Sequence, residues 1–172
     1  MWMLHVRKML SLVLLLSLAA CQSMMVGPPS GPILAAETLQ VSPRVVLAGK
    51  LNETALPALR AANAVVIDLR HTSEGTSDEA RLMARNGITW INLPQGRETP
   101  TTGDVQYLDD ILNAWPGRNV VVHCATGNRA GKLWASWRVS QGTTLEAATA
   151  EVAPIVTMPA VKAAIGAPQS GQ

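Results

Sequence analysis

Over residues 40–165, short apolar runs of strand length alternate with stretches whose apolar positions recur every three to four residues, the two periods that separate buried strands from amphipathic helices. Arg44 to Ala48 is the first run, closed by Gly49, and a helix is predicted from Asn52 through Leu59. AVVIDLR supplies a second run, Ala64 to Leu69, continuous enough for a parallel strand buried on both faces. Ser77 with Asp78 and Glu79 offers a polar start to the helix carrying Ala80, Leu82 and Met83, and Asn86-Gly87 turns the chain into a third run, Ile88 to Leu93. After a loop over Pro94 to Gly103, Val105, Leu108, Ile111 and Leu112 fall at helical spacing behind Asp104, the expected cap, until Pro116-Gly117. Asn119 to His123 is the last strand. The segment RAGKLWASWRV (129–139) is the helix leaving it, followed by short helices over Leu145 to Val152, behind Thr144, and Pro159 to Ile165.

This alternation predicts an α/β domain in three layers: a central, mostly parallel sheet of four to five strands flanked by helices, because parallel neighbours need crossover helices on the sheet faces. No internal repeat is present.

The N-terminus follows a different pattern. Arg7 and Lys8 precede a mostly apolar run from Met9 to Ala20, the layout of a signal peptide and short of the roughly 20 residues that span a bilayer comfortably. The run ends in Leu18, Ala19, Ala20 and Cys21, which resembles the lipobox of bacterial lipoproteins. That resemblance implies cleavage before Cys21, acyl chains on Cys21 and anchoring in the cell envelope. Gln22, rather than Asp, points to the outer membrane facing the periplasm. Several acyl chains hold a protein stably at a bilayer where one does not. The expected organisation is a signal peptide over 1–20, a lipidated N-terminus and tether over 21–36 interrupted by Gly27, Pro28, Pro29, Gly31 and Pro32, and a folded domain over 37–168.

The chain carries 14 basic against 12 acidic residues. The two extra positive charges are Arg7 and Lys8, so the mature chain is neutral and lacks the basic footprint of a nucleic-acid binder. The histidines at 5, 71 and 123 have no metal-ligand spacing, and no metal or other cofactor is expected. With Cys21 lipidated, Cys124 is the lone thiol in an oxidising compartment, open to sulfenic acid formation without an internal resolving cysteine.

The chemistry concentrates in VVVHCATGNRAGKLW, residues 120–134. A buried strand delivers His123 and Cys124 to a loop containing Gly127, and Arg129 follows as a helix begins. Loop amides and a helix start converge on an anion, Arg129 grips two oxygens with its fork, and the same donors favour a thiolate at Cys124. Such a set suits nucleophilic attack on phosphorus.

These residues resemble the cysteine-dependent tyrosine and dual-specificity phosphatase superfamily, especially its small bacterial branch related to the beta-lactamase-hydrolase-associated domain. VVIDLR (65–70), GITWINLP (87–94) and HCATGNRAGKLWA (123–135) carry the resemblance over roughly residues 40–165. It implies that Cys124 attacks phosphorus, that Arg129 binds the phosphoryl oxygens, and that Ala125, Thr126, Gly127 and Asn128 line the cradle. His123 then sets the cysteine loop. Arg70, at the end of its strand, either adds substrate affinity or forms a structural ion pair, and Asp68 bonds locally or to an arginine. The general acid belongs on the loop after Leu93, where Glu98 and Asp104 are the carboxylates in reach. The substrate that the resemblance implies is a phosphorylated protein of the phosphotyrosine type or a small phosphate ester.

Two positions depart from the common pattern. Four residues, rather than five, separate Cys124 from Arg129, a spacing shared with rhodanese-like sulfurtransferases, which would carry a persulfide on Cys124. Ala130 stands where many members place a hydroxyl that helps the cysteine leave; with the acid unassigned, a phosphate-binding envelope module of weak activity is a further alternative.

Overall fold

The computed structural model describes residues 27–170; the leader and Cys21 lie outside the described residues. Five strands, β1 (Thr38–Ser42), β2 (Val45–Ala48), β3 (Val65–Asp68), β4 (Thr89–Asn92) and β5 (Val120–His123), form one sheet in the order β1-β2-β5-β3-β4. β1 pairs antiparallel with β2, and every other neighbouring pair is parallel. The helices are α1 (Leu56–Ala61), α2 (Thr76–Arg85), α3 (Thr102–Ala114), α4 (Asn128–Ser140), α5 (Leu145–Val152) and α6 (Pro159–Ala163).

Strand alternation sorts side chains into two cores. Val46, Ala48, Val66 and Val121 face one side, with Leu59 of α1 and Met83 of α2. Val45, Leu47, Val65, Ile67, Val120 and Val122 face the other, with Leu108 of α3, Leu133 of α4, Val152 of α5 and Val161 of α6. Both faces of β2, β3 and β5 are therefore covered, which explains their continuous apolar runs. Each fully buried Val or Leu contributes about 1.5–3 kcal/mol.

β5 lies between β2 and β3, in register so that Ala48, His123 and Asp68 sit side by side at the carboxyl edge. In open parallel sheets, ligands bind beyond that edge. The central strand thus delivers its loop to the middle of the edge, flanked by the loops after β2 and β3.

Four details differ from the sequence pattern. β1 is an additional antiparallel edge strand; its residues are only partly buried, so it lacks the apolar run that marks its neighbours. The helix expected from Asn52 begins as a 3-10 turn over Glu53–Ala55, and α1 starts only where Pro57 fits the first turn. α2 begins at Thr76 behind Gly75, whose φ of 84° is left-handed. The cap of α3 is Thr101, not Asp104: Thr101 Oγ1 accepts from the Asp104 amide at 3.1 Å and Asp104 Oδ2 accepts from the Thr101 amide at 2.9 Å, a reciprocal capping box.

Packing also reaches into the segment expected to be tether, since Leu34 and Ala35 are fully buried. At the other end, Gln169 donates to Pro100 O and accepts from the Thr102 amide.

Candidate active site

The loop from Cys124 to Arg129 is shaped by its neighbours. The Cys124 amide donates to Ala48 O at 3.2 Å and the Lys50 amide to Ala125 O at 3.1 Å, which ties the loop to the end of β2. Gly127 has φ +79°, and a Cβ there would stand 2.4 Å from Ile155 Cγ1, so both backbone and space demand glycine. Asn128 opens α4 with a buried side chain. Its Oδ1 accepts from the amides of Thr157 and Met158 at 2.9 and 2.8 Å, and its Nδ2 donates to Thr126 Oγ1 at 3.1 Å. The loop is thereby clamped to the segment after α5, while the first-turn amides of α4 have no intrahelical acceptors.

Cys124 is fully buried at the base of this loop. Arg129 is half-buried beside it, its guanidinium held from outside by Glu74: Nη1 to Oε2 at 2.8 Å and Nη2 to Oε1 at 2.7 Å. Nη1 also reaches Leu69 O and Gln95 O. Nε takes no part in any of these bonds. The bidentate bond from Arg129 holds the Glu74 carboxyl down at about 2, below the usual carboxylate range, while Glu74 and the nearby Cys124 raise the Arg129 guanidinium further.

A cavity of about 320 Å³ opens over the loop, lined by Thr126, Asn128 and Arg129, by Gln95 to Arg97, and by His71, Glu74, Met158 and Val161. Thr126 lies on the exposed side of the loop, whereas Ala130 is fully buried in the core, so no hydroxyl enters from that position. Glu98 is exposed, and its carboxylate folds back over Gly96 on the cavity wall, occupying the space that a Cβ of residue 96 would take. Asp104 is part-buried, with Oδ2 also accepting from Thr101 Oγ1 at 2.8 Å, so the helix cap occupies its carboxylate.

Behind the cysteine lies a buried polar group that the sequence indicated only in part. Arg70 bonds Asp68 through Nε at 3.0 Å and Nη2 at 2.8 Å and also bonds the Glu79 carboxylate. His123 Nε2 stands 2.8 Å from Glu79 Oε1 and 3.7 Å from Asp68 Oδ1. Burial pushes the Glu79 carboxyl up, but His123 and Arg70 outweigh it and the net shift is downward. Arg70 is therefore an ion-pair residue beneath the site. Asp68, Glu79 and His123 bring ligand-type atoms within 4.8 Å of one another, yet the Arg70 guanidinium already bonds both carboxylates of that group.

Sequence reasoning missed Glu74 and Lys132. Glu74 sits in the 3-10 turn Thr72–Glu74, with no strand or helix pattern to give away its direction. Lys132 is fully buried, its ammonium donating to Gly96 O at 3.0 Å and to Glu98 O.

Residues 44–161 match the sequence model of a family described as a DSP-PTPase phosphatase fused to NAD+ kinase. The chain belongs to this family. It is thereby a member of the dual-specificity and tyrosine phosphatase superfamily, and the strand order and cysteine loop described above are its phosphatase fold. No curated protein matches the chain in sequence. Among solved structures, a DUF442 phosphatase of Shewanella putrefaciens CN-32 superposes with TM-score 0.60 at 23% identity, over 77% of this chain and 87% of its own. TpbA of P. aeruginosa, a cysteine-to-serine variant in complex with phosphotyrosine, superposes with TM-score 0.64 at 19% identity, over 86% and 93%. A phosphatase of Neisseria meningitidis Z2491 gives TM-score 0.56 at 15% identity, over 73% and 89%. These likenesses concern the fold.

Proposed function

We propose that the protein hydrolyses phosphate monoesters through a cysteinyl-phosphate intermediate. The observation that carries the reading is the arrangement around Cys124: a buried sulfur at the base of the loop, with the Arg129 guanidinium beside it and fixed from outside by Glu74. The Cys124 thiolate attacks phosphorus and the ester oxygen departs with its electron pair. Arg129 and the loop amides hold the remaining phosphoryl oxygens and their growing charge. Glu98, whose exposed carboxylate lies against Gly96 of the cavity wall, gives its proton to the departing oxygen. Water then attacks the cysteinyl phosphate, Glu98 takes a proton from it, and the thiolate and inorganic phosphate are released.

The substrate class is a phosphotyrosine-type protein or a small phosphate ester. The phosphotyrosine bound to the similar TpbA variant supports the former. The reading places the enzyme at a bacterial membrane surface, held by acyl chains on Cys21; supporting it are the charged start, the apolar run and the Leu-Ala-Ala-Cys ending of the leader. Labelled fatty acid should enter the wild-type protein and be lost in Cys21→Ala, and an unlabelled wild type would remove the anchor.

The catalytic test pairs wild type with Cys124→Ser on 4-nitrophenyl phosphate and on thiosulfate with cyanide. Ester turnover lost in a folded Cys124→Ser supports the mechanism. Full activity in that variant would overturn it, and thiocyanate formation without ester turnover would move the assignment to sulfur transfer.

A further inference from the structure

Lys132 is a long side chain with no exposed surface, in a protein where the other large, fully buried residues are mainly aliphatic. Buried ammonium groups are normally paired with a carboxylate. Among the described residues no carboxylate pairs with Lys132. Its ammonium instead meets two main-chain carbonyls of one loop, Gly96 O and Glu98 O. Burial pushes it below its ordinary lysine value, against the pull of Glu98, Asp104 and Cys124.

Lys132 and Arg129 are three residues apart on α4, hence on one helix face. Arg129 reaches Gln95 O at 3.3 Å. Three carbonyls of the loop, at Gln95, Gly96 and Glu98, therefore turn toward the two cations of the helix that begins at the cysteine loop. Beyond the Gln95 amide, which donates to Leu69 O, the cations supply the loop's attachment.

Resting on the reading of Cys124 as nucleophile and Glu98 as acid, we propose that Lys132 is a positioning residue: it fastens the 95–98 loop to α4 and so holds Glu98 over the phosphoryl cradle. The ammonium touches neither substrate nor sulfur in this role. It makes the nucleophile and the acid parts of one rigid body.

The test is Lys132→Met, which keeps length and apolar fit but removes the donors, assayed on aryl phosphates from 2,4-dinitrophenyl to phenyl. A displaced acid matters little when the leaving oxygen needs no proton. The dinitrophenyl ester should change by less than about 3-fold while phenyl phosphate loses about 30-fold in kcat/KM, part of the roughly 10²–10⁴-fold a positioned acid contributes. An equal loss on every ester, or no loss, overturns the proposal. Trypsin cleavage after the exposed Arg97 reads the loop without catalysis: it should quicken by about 10-fold in the variant, because cleavage follows the population of the opened segment. Unchanged cleavage in a folded variant also overturns it. Wild type inert on all esters would sink the phosphatase reading, and the trypsin comparison would still decide for or against Lys132. Should Lys132→Met fail to fold, Lys132→Leu, which also removes the donors, goes through the same two measurements.

Discussion

Glu74 makes opposite predictions depending on whether it supports Arg129 or competes with substrate for it. Glu74→Gln removes one charge and weakens the two bonds at 2.7 and 2.8 Å that hold the guanidinium end-on. Its carboxyl sits at about 2 against an ordinary 4.5, a difference of about 2.5 units, or roughly 3.4 kcal/mol at 1.36 kcal/mol per unit. The Glu74 side chain is 32% exposed, however, and solvent screening cuts the usable part to about 1 kcal/mol. Because folding depresses this carboxyl, its stabilisation is fully present above 4.5 and is lost as pH falls through about 2. In acid titrations followed by circular dichroism, Glu74→Gln should therefore be less stable than wild type by about 1 kcal/mol at neutral pH, with the gap closing between those two values. For activity, a guanidinium free to swing loses part of its grip on the phosphoryl group. Inhibition by inorganic phosphate should weaken by about 5- to 10-fold, with kcat/KM on 4-nitrophenyl phosphate falling alongside it, since about 1.4 kcal/mol is tenfold. Tighter phosphate binding in Glu74→Gln would refute the reasoning, showing that Glu74 occupies the place of the substrate oxyanion.

The two carboxylates considered for the acid should separate cleanly. Glu98→Gln should slow phenyl phosphate far more than the dinitrophenyl ester. Asp104→Ala should cost about 1 kcal/mol of stability by breaking the cap and leave the ester dependence as in wild type; the reverse pattern in paired melts and rate series would exchange their roles. Ala130→Ser introduces a hydroxyl at the position where the resemblance puts one that helps the cysteine leave. Wild type should show a burst followed by a slow steady state, and the variant a faster steady state with a smaller burst, as read by stopped-flow; a linear wild-type time course would count against a slow second step. Gly127→Ala combines a left-handed φ with a Cβ 2.4 Å from Ile155, so the loop must deform at a cost of about 1–3 kcal/mol. Turnover should be lost and the melting temperature lowered.

The buried strands β2, β3 and β5 were legible because parallel strands covered on both faces leave uninterrupted Val and Ile runs. β1 was hidden because an edge strand needs no such run. Asp104 misled because a carboxylate three residues into a helix and one at its cap leave the same mark; only the backbone shows that Thr101 fills the cap. The Cys124–Arg129 loop announced itself through a cysteine, a glycine and an arginine held at short range along the chain. The partners of that loop did not. Glu74 lies 55 positions before Arg129 and Gly96 lies 36 before Lys132, and separations of that size have no period for a sequence to display.

The Asn128 clamp ties the shape of the loop to the connection between α5 and α6. Its Oδ1 receives two amides from residues 157 and 158, while Gln169 closes on Pro100 and Thr102, just after the 95–98 loop. A nascent chain that has already produced Cys124 and Arg129 therefore has an unclamped loop until residues 157 and 158, 29 and 30 positions beyond Asn128, are available to fold. A truncation after α5 would leave Cys124 in place beside an unclamped loop, and such a variant should lose ester turnover.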